Sequence, residues 1–224
     1  MLIPSIDIMG GKIVQLVQGE KKALEFDDFD YWINRFAEYP LVQLIDLDAA
    51  MGGGNNHELI AMVCKRLPCQ VGGGIRNRER AFKLLELGAK RVILGSALLT
   101  EGKINLALAQ ECSGQLGNKV LTFAIDSRGG KVSIKGWTEQ TQIDPLDMVR
   151  GLEPYCSAFL YTHIDTEGTM TGFPIEAARE LRRATSKQMI VAGGIRSMEE
   201  VNELESLGLD AVVGMSIYTG AIGK

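Results

Sequence analysis

The stretch Val71–Leu99, VGGGIRNRERAFKLLELGAKRVILGSALL, returns half a chain later from Val191 to Gly220 as VAGGIRSMEEVNELESLGLDAVVGMSIYTG. Gly73, Gly74, Ile75 and Arg76 recur as Gly193, Gly194, Ile195 and Arg196, a spacing of 120 residues that Gly88 with Gly208 and Ser96 with Ser216 also keep. A second echo lies upstream. Ile6-Asp7-x-x-Gly10-Gly11-Lys12 recurs as Ile125-Asp126-x-x-Gly129-Gly130-Lys131, at a spacing of 119. Two unrelated stretches repeating at nearly one spacing imply two homologous halves, about residues 1–114 and 115–224. Each repeated unit reads apolar strand, glycine turn, amphipathic helix, apolar strand and second glycine turn, which is a βαβ unit.

Working outward, short apolar runs predict strands at Leu2–Ile6, Val42–Leu47, Cys69–Val71, Arg91–Leu94, Val120–Ile125, Ala158–Tyr161, Met189–Ala192 and Ala211–Val213. Helices fill the intervals. One begins near Asp28 or Asp30 and carries Trp32, Ile33 and Phe36 inward at helical spacing. Asn55 three before Glu58 reads as a capping box, as does Ser197 three before Glu200. A further helix is expected over Lys103–Cys112, and Asp144-Pro145 and Pro174 each open another. The long segment Gly129–Thr141, containing Trp137, reads as loop. Eight buried strands alternating with helices in two equivalent halves predict a single α/β domain, a (β/α)8 TIM barrel. A doubly wound sheet does not explain the repeat, and GGGIR is not the GxGxxG fingerprint. Only some ten residues follow the eighth strand, so the last helix is expected to be stunted. Tyr218 and Ile222 are then expected to fold back over the seam, with a monomer or weak homodimer as the outcome.

Composition narrows the function. The 224 residues are 46% hydrophobic, enough for one sizeable core, and no apolar run reaches the ~18 residues a membrane helix needs. The net charge of −4, with Lys and Arg dispersed, argues against a nucleic-acid partner. Cys64, Cys69, Cys112 and Cys156 show neither CxxC nor zinc spacing with His57 and His163, so no metal is expected. Reduced thiols and the absence of a basic leader point to a cytoplasmic protein without a membrane partner.

In such a barrel the site lies at the C-terminal ends of the strands. Those ends carry Asp7, Asp46 and Asp48, Asp126, and then Thr162, His163 and Asp165. The other four carry glycine turns: Gly73-Gly74, Gly95-Ser96, Gly193-Gly194 and Gly214-Met215-Ser216. Glycine lets a phosphate approach backbone N–H groups beside a helix N-terminus without any lysine cluster. Two such cradles on opposite sides of the mouth imply a small-molecule ligand with two phosphates, although the same glycines also serve tight βα turns. Asp7 and Asp126 occupy equivalent places and face each other, an arrangement suited to one general acid and one general base.

IDxxGGK on the first strand, IDSRGGKVSIKGW on the fifth, THIDTEGTMTG after the sixth and the two GGIR turns resemble the phosphoribosylformimino-5-aminoimidazole carboxamide ribotide isomerases of histidine biosynthesis. The likeness spans essentially the whole chain. It implies an Amadori rearrangement of an aminoaldose phosphate to an aminoketose phosphate, with no metal or organic cofactor. It further implies Asp7 as proton acceptor and Asp126 as donor, Thr162 near the ribose, and Trp137 stacked on the substrate. Three positions depart from the family pattern. Gln15 stands where an arginine is usual, His163 follows Thr162 where an acidic residue is usual, and Glu167 replaces an aspartate, keeping a substrate-binding carboxylate on a longer stem. The alternatives are a phosphoribosylanthranilate isomerase, an enzyme running both Amadori reactions, or a non-catalytic phosphosugar-binding relic.

Overall fold

Residues 1–223 are described by a computed structural model. Eight parallel strands close on themselves: β1 (Leu2–Met9), β2 (Val42–Asp46), β3 (Cys69–Gly72), β4 (Arg91–Leu94), β5 (Leu121–Arg128), β6 (Ala158–His163), β7 (Gln188–Ala192) and β8 (Leu209–Val213). Each pairs with the next in sequence, and β8 pairs with β1, so no strand edge is left open. The alternation of side chains along each strand then sorts the sequence into two cores. Ile3, Leu41, Ile93, Leu160, Ile190 and Val212 point into the barrel. Their neighbours in sequence, such as Ile6, Leu44, Phe123 and Phe159, point outward beneath the helices. The lower end is closed by polar groups, with Arg91 Nη1 donating to Gln188 Oε1 (2.6 Å) and Gln188 Nε2 to Asp210 Oδ2 (2.5 Å).

The helical layer follows local signals. In α1 (Phe29–Phe36), Asp28 accepts from the Tyr31 N–H, and Phe29, Trp32, Ile33 and Phe36 form the buried stripe. Next come α2 (His57–Arg66) and α3 (Arg78–Glu86), the latter capped by Asn77 accepting from the Arg80 N–H. The expected cap at Asn55 is displaced by one residue. Asn56 precedes α2 without capping it, because its side-chain amide is drawn to Asp46 and Asp48. The helix expected over Lys103–Cys112 is α4 (Leu106–Leu116), because Lys103–Ile104 instead pairs with Leu99–Thr100. Then follow α5 (Pro145–Leu152), capped by Asp144, α6 (Ile175–Ala184) and α7 (Met198–Ser206). Ser197 Oγ caps α7, but Glu200 reaches back one residue further than a capping box, to the Arg196 N–H. No helix among the described residues is long and apolar enough to cross a membrane, and the four cysteines are buried free thiols.

Two additions shape the mouth. After β1 the chain makes a hairpin, Lys12–Val17 against Lys21–Phe26, that extends the sheet upward. The segment after β5, expected as loop, makes the equivalent shorter hairpin from Lys131–Ile134 and Glu139–Gln140. At the other boundary the β8–β1 ladder stops at the pair Pro4–Val213. The chain then turns into the four-residue helix α8 (Met215–Tyr218), so the last helix is indeed stunted. Tyr218 folds back onto Trp32 (4.2 Å between ring centres) and Phe26 (5.4 Å), Ile222 is buried behind it, and Tyr218 Oη donates to the Ser5 carbonyl (3.0 Å).

A truncation here therefore reads out the seam. Tyr218→Ser should cost about 3–5 kcal/mol, as for loss of a buried aromatic ring, lowering the melting temperature by about 10 °C. Tyr218→Phe, which keeps the ring and removes the bond to Ser5, should cost about 1 kcal/mol. Denaturant unfolding of the two variants checks both; equal losses would mean that the hydroxyl, not the ring, holds the seam.

Candidate functional site

The order of strands sets β1 and β5 diametrically opposite, and alternation turns Asp7 and Asp126 inward at their upper ends. Both residues are only partly exposed. Burial pushes Asp7 up to about 6, against the opposing effect of the Ser5 hydroxyl, which donates to its Oδ1 at 2.9 Å. Burial also raises Asp126, opposed by the Trp137 indole N–H, which donates to its Oδ2 (2.8 Å), and by the Thr162 hydroxyl, which bonds it as well. Thr162 itself points inward from β6 and is buried.

Glu167, in the loop after β6, is the third carboxyl of this cluster. It is pushed up to about 8, first by burial and then by repulsion from Asp7 and Asp126. It is therefore protonated at neutral pH, so the three acids do not carry three charges. The hairpin after β1 spans the mouth to reach this loop. Gln18 N–H donates to the Glu167 carbonyl (3.0 Å) and Gln18 Nε2 to the Asp165 carbonyl (3.0 Å). The Trp137 ring lies against Gly19 so closely that a Cβ there would stand 2.6 Å from Cε3. Trp137 thus bridges the first hairpin and Asp126, over the space between the strands.

The glycine turns are tightly packed. Gly73 and Gly193 have φ of +106° and +118°, and a Cβ on either would enter the backbone of the preceding βα loop, at the carbonyls of Asp46 and His163. Gly74 and Gly194 press likewise on Ala49 and Thr166. These residues are glycine for packing, so a bulky residue at Gly74 disturbs the turn itself. Gly95 and Gly214 share a second unusual backbone, with φ, ψ of −123°, −105° and −108°, −95°. The matching serines differ. Ser96 is exposed and accepts from the Lys135 N–H (2.9 Å), whereas Ser216 is buried and donates to the Ile195 carbonyl. Beside Ser216, Met215 opens α8, leaving main-chain N–H groups as what the two cradles have in common.

The clash pairs reveal correspondences that spacing alone hides. Asp46 corresponds to His163, and Asp48 to Asp165, whose carboxylates each accept a glycine N–H after β1 or β5 (Gly10 and Gly129, both 2.8 Å). Asp46 is fully buried and accepts from Ala49 N, Asn56 N, Asn56 Nδ2 and Arg80 Nη2 (3.0 Å), so it fastens its loop. His163 turns away from the barrel, bonds Thr166 Oγ1 (2.9 Å), and burial lowers its pKa, which keeps it neutral. Gln15 is buried, with Nε2 on the Val14 carbonyl and Oε1 against Gly214. Residues the sequence reading passed over are Ser5 and Gln18. Ser5 was legible as the same-face neighbour of Asp7 two positions away. Gln18 carried no signal, because its partners lie nearly 150 residues downstream.

A family model described as histidine biosynthesis protein matches residues 1–223. Among similar curated proteins, the 1-(5-phosphoribosyl)-5-((5-phosphoribosylamino)methylideneamino) imidazole-4-carboxamide isomerase of Methanosarcina barkeri is 39% identical, covering 98% of this chain and 93% of its own. The proteins of the same name from Methanocaldococcus jannaschii and Methanothermobacter thermautotrophicus are each 35% identical, covering 99% of this chain and 95% of their own.

The raised carboxyl of Glu167 has a consequence for stability. A carboxyl whose pKa rises on folding costs nothing while it is protonated in both states, below the unfolded value of 4.5. The cost grows as pH rises from there to about 8 and then levels off. Glu167→Gln should therefore match the parent near pH 4.5 and be roughly 2–4 kcal/mol more stable at pH 9. Urea unfolding at the two pH values checks this, and a variant no more stable at pH 9 than at pH 4.5 would contradict the buried setting.

Proposed function

The chain belongs to the histidine biosynthesis protein family, and we propose that within it this protein catalyses the isomerisation for which its relatives are named, an Amadori rearrangement of a bis-phosphorylated aminoimidazole carboxamide ribotide. The observation that carries this reading is the pair Asp7 and Asp126, inward-facing from opposite strands, both short of water, between two backbone cradles 120 residues apart. A ligand held by a phosphate at each end lays its ribose between the two acids. The paired cradles favour the histidine-pathway ribotide over phosphoribosylanthranilate, which has one phosphate and would need only one.

In this reading Asp126, whose pKa burial raises towards the range a proton donor needs, gives its proton to the ribose ring oxygen and opens the sugar to a protonated imine. Asp7, with a pKa of about 6, is ionised at neutral pH and takes the C2′ proton. Collapse of the enolamine to the ketone places a proton on C1′ and releases one from the 2′-hydroxyl, returning both acids to their starting forms. Thr162 bonds Asp126 and lies beside the ribose, while Trp137 leaves Asp126 to stack on the substrate. Protonated Glu167 is a hydrogen-bond donor that adds no charge against the phosphates. Gly73, Gly74, Gly95 and Ser96 hold one phosphate, and Gly193, Gly194, Met215 and Ser216 the other, mainly through N–H groups. No step calls on a metal or cofactor, and the setting is cytoplasmic.

Turnover of the purified protein with each ribotide tests the reading. Activity on the bis-phosphorylated substrate is expected, activity on phosphoribosylanthranilate alone would favour the rival isomerase, and no turnover of either would favour a binding relic. Asp7→Asn and Asp126→Asn should each lower kcat by ~10²–10⁴ while ligand affinity stays within about tenfold. Either variant retaining a tenth of the parent rate would remove that residue from its role.

Trp137 should report binding. In a Trp32→Phe background its fluorescence should change as the bisphosphate is titrated in, because the ring must leave Asp126 and Gly19. An unchanged signal at saturation would mean that the ring stays where it is.

A further inference from the structure

Above the polar lower end, the apolar interior formed by Ile3, Leu41, Ile93, Leu160, Ile190 and Val212 is interrupted by a polar belt on the side of β1. Ser5, Gln43 and Gln70 sit in register on β1, β2 and β3, and all three are buried. Polar side chains in such a place cost free energy unless bonded, so their bonding partners indicate what they serve. Gln70 Nε2 donates to Gln43 Oε1 (3.0 Å), which turns the nitrogen of Gln43 the other way, towards Ser5 Oγ (3.5 Å). With a donor already facing its oxygen, the Ser5 hydroxyl directs its single hydrogen to Asp7 Oδ1 (2.9 Å). The Ser5 main chain is fixed from the other side, where Tyr218 Oη donates to its carbonyl.

We infer that Ser5 is a positioning residue for Asp7, its hydroxyl aimed by the Gln43–Gln70 belt so that one carboxylate oxygen is held and the other is left for the substrate. The inference rests on the reading of Asp7 as proton acceptor. A donated hydrogen bond favours the ionised form, which is the form an acceptor needs, and it offsets part of the burial that would otherwise neutralise Asp7. The other titratable groups around Asp7 bring it no positive charge. Glu167 after β6 and Asp126 on β5 are acids of the same cluster, and Tyr218 on α8 is an uncharged phenol raised well above its ordinary value. Ser5 is thus the side chain that favours the charge on Asp7. It does not touch the reacting atoms.

The test compares the pH dependence of kcat and KM for the parent, Ser5→Ala and Ser5→Thr, alongside direct titration of the Asp7 carboxyl by carbon NMR in the unliganded proteins. Without the donor, the acidic limb of kcat should move up by roughly half to one pH unit. That is about a two- to fivefold loss of kcat at pH 6, with kcat at pH 8 within about twofold and KM unchanged. The Asp7 titration should move with it, and Ser5→Thr, which restores a hydroxyl, should return both. An unmoved Asp7 titration in Ser5→Ala overturns the inference. A moved titration with an unmoved kcat limb would instead show that Asp7 is not the acceptor, and the catalytic part of the inference falls with that reading. A loss of kcat equal at every pH and not restored by Ser5→Thr would mark Ser5 as merely structural.

Discussion

Everything at the mouth depends on how the first strand meets the last. The β8–β1 ladder ends at Pro4–Val213, and the next carbonyl on β1, that of Ser5, is taken by a side chain, Tyr218. This substitution allows α8 to be only four residues long and the chain still to close, because the phenol completes the hydrogen bonding while its ring fills the space over Trp32 and Phe26. The same contact lies two residues before Asp7. Closure of the fold and orientation of the candidate proton acceptor thus share one piece of backbone.

The carboxyl cluster is a second constraint, and burial governs it. Three acids grouped at one end of the barrel would repel a doubly phosphorylated ligand if all were ionised. Low solvent access and mutual repulsion spread their protonation instead, with Asp7 near 6 and Glu167 near 8, so that the cluster at neutral pH holds both a base and an acid. An overall negative protein can then receive an anion through N–H groups, with no basic patch.

Much of this was legible in the sequence. Short apolar runs gave the strands because their period and length admit little else, and the repeat at 120 residues marked Gly73-Gly74 and Gly193-Gly194 before any coordinate contact did. Asp7 and Asp126 stood out as strand-end acids in equivalent positions. What stayed hidden was set by long-range contact. The hairpin at Lys131–Gln140 alternates over only four residues, its second strand Glu139–Gln140 is wholly polar, and it is held by pairing with β5. The α2 start moved by one residue because Asn56 had better partners in Asp46 and Asp48 than in its own helix. The different fates of Ser96 and Ser216 could not be read from matching letters, since Lys135 and Ile195 decide them.

The correspondence of Asp46 with His163 fastens the two sides of the mouth differently. The loop after β2 is tied by a fully buried carboxylate with four donors, one of them an arginine. The loop after β6 is tied by a neutral imidazole to a hydroxyl, by Gln18 through two bonds to main-chain carbonyls, and by the Asp165 carboxylate on the Gly129 N–H. Charge-assisted bonds are roughly twice as strong as neutral ones, and the buried Asp46–Arg80 pair is a tie that His163, at the corresponding place, does not make. The ring of strands is nearly symmetric, but the fastening of its rim is not.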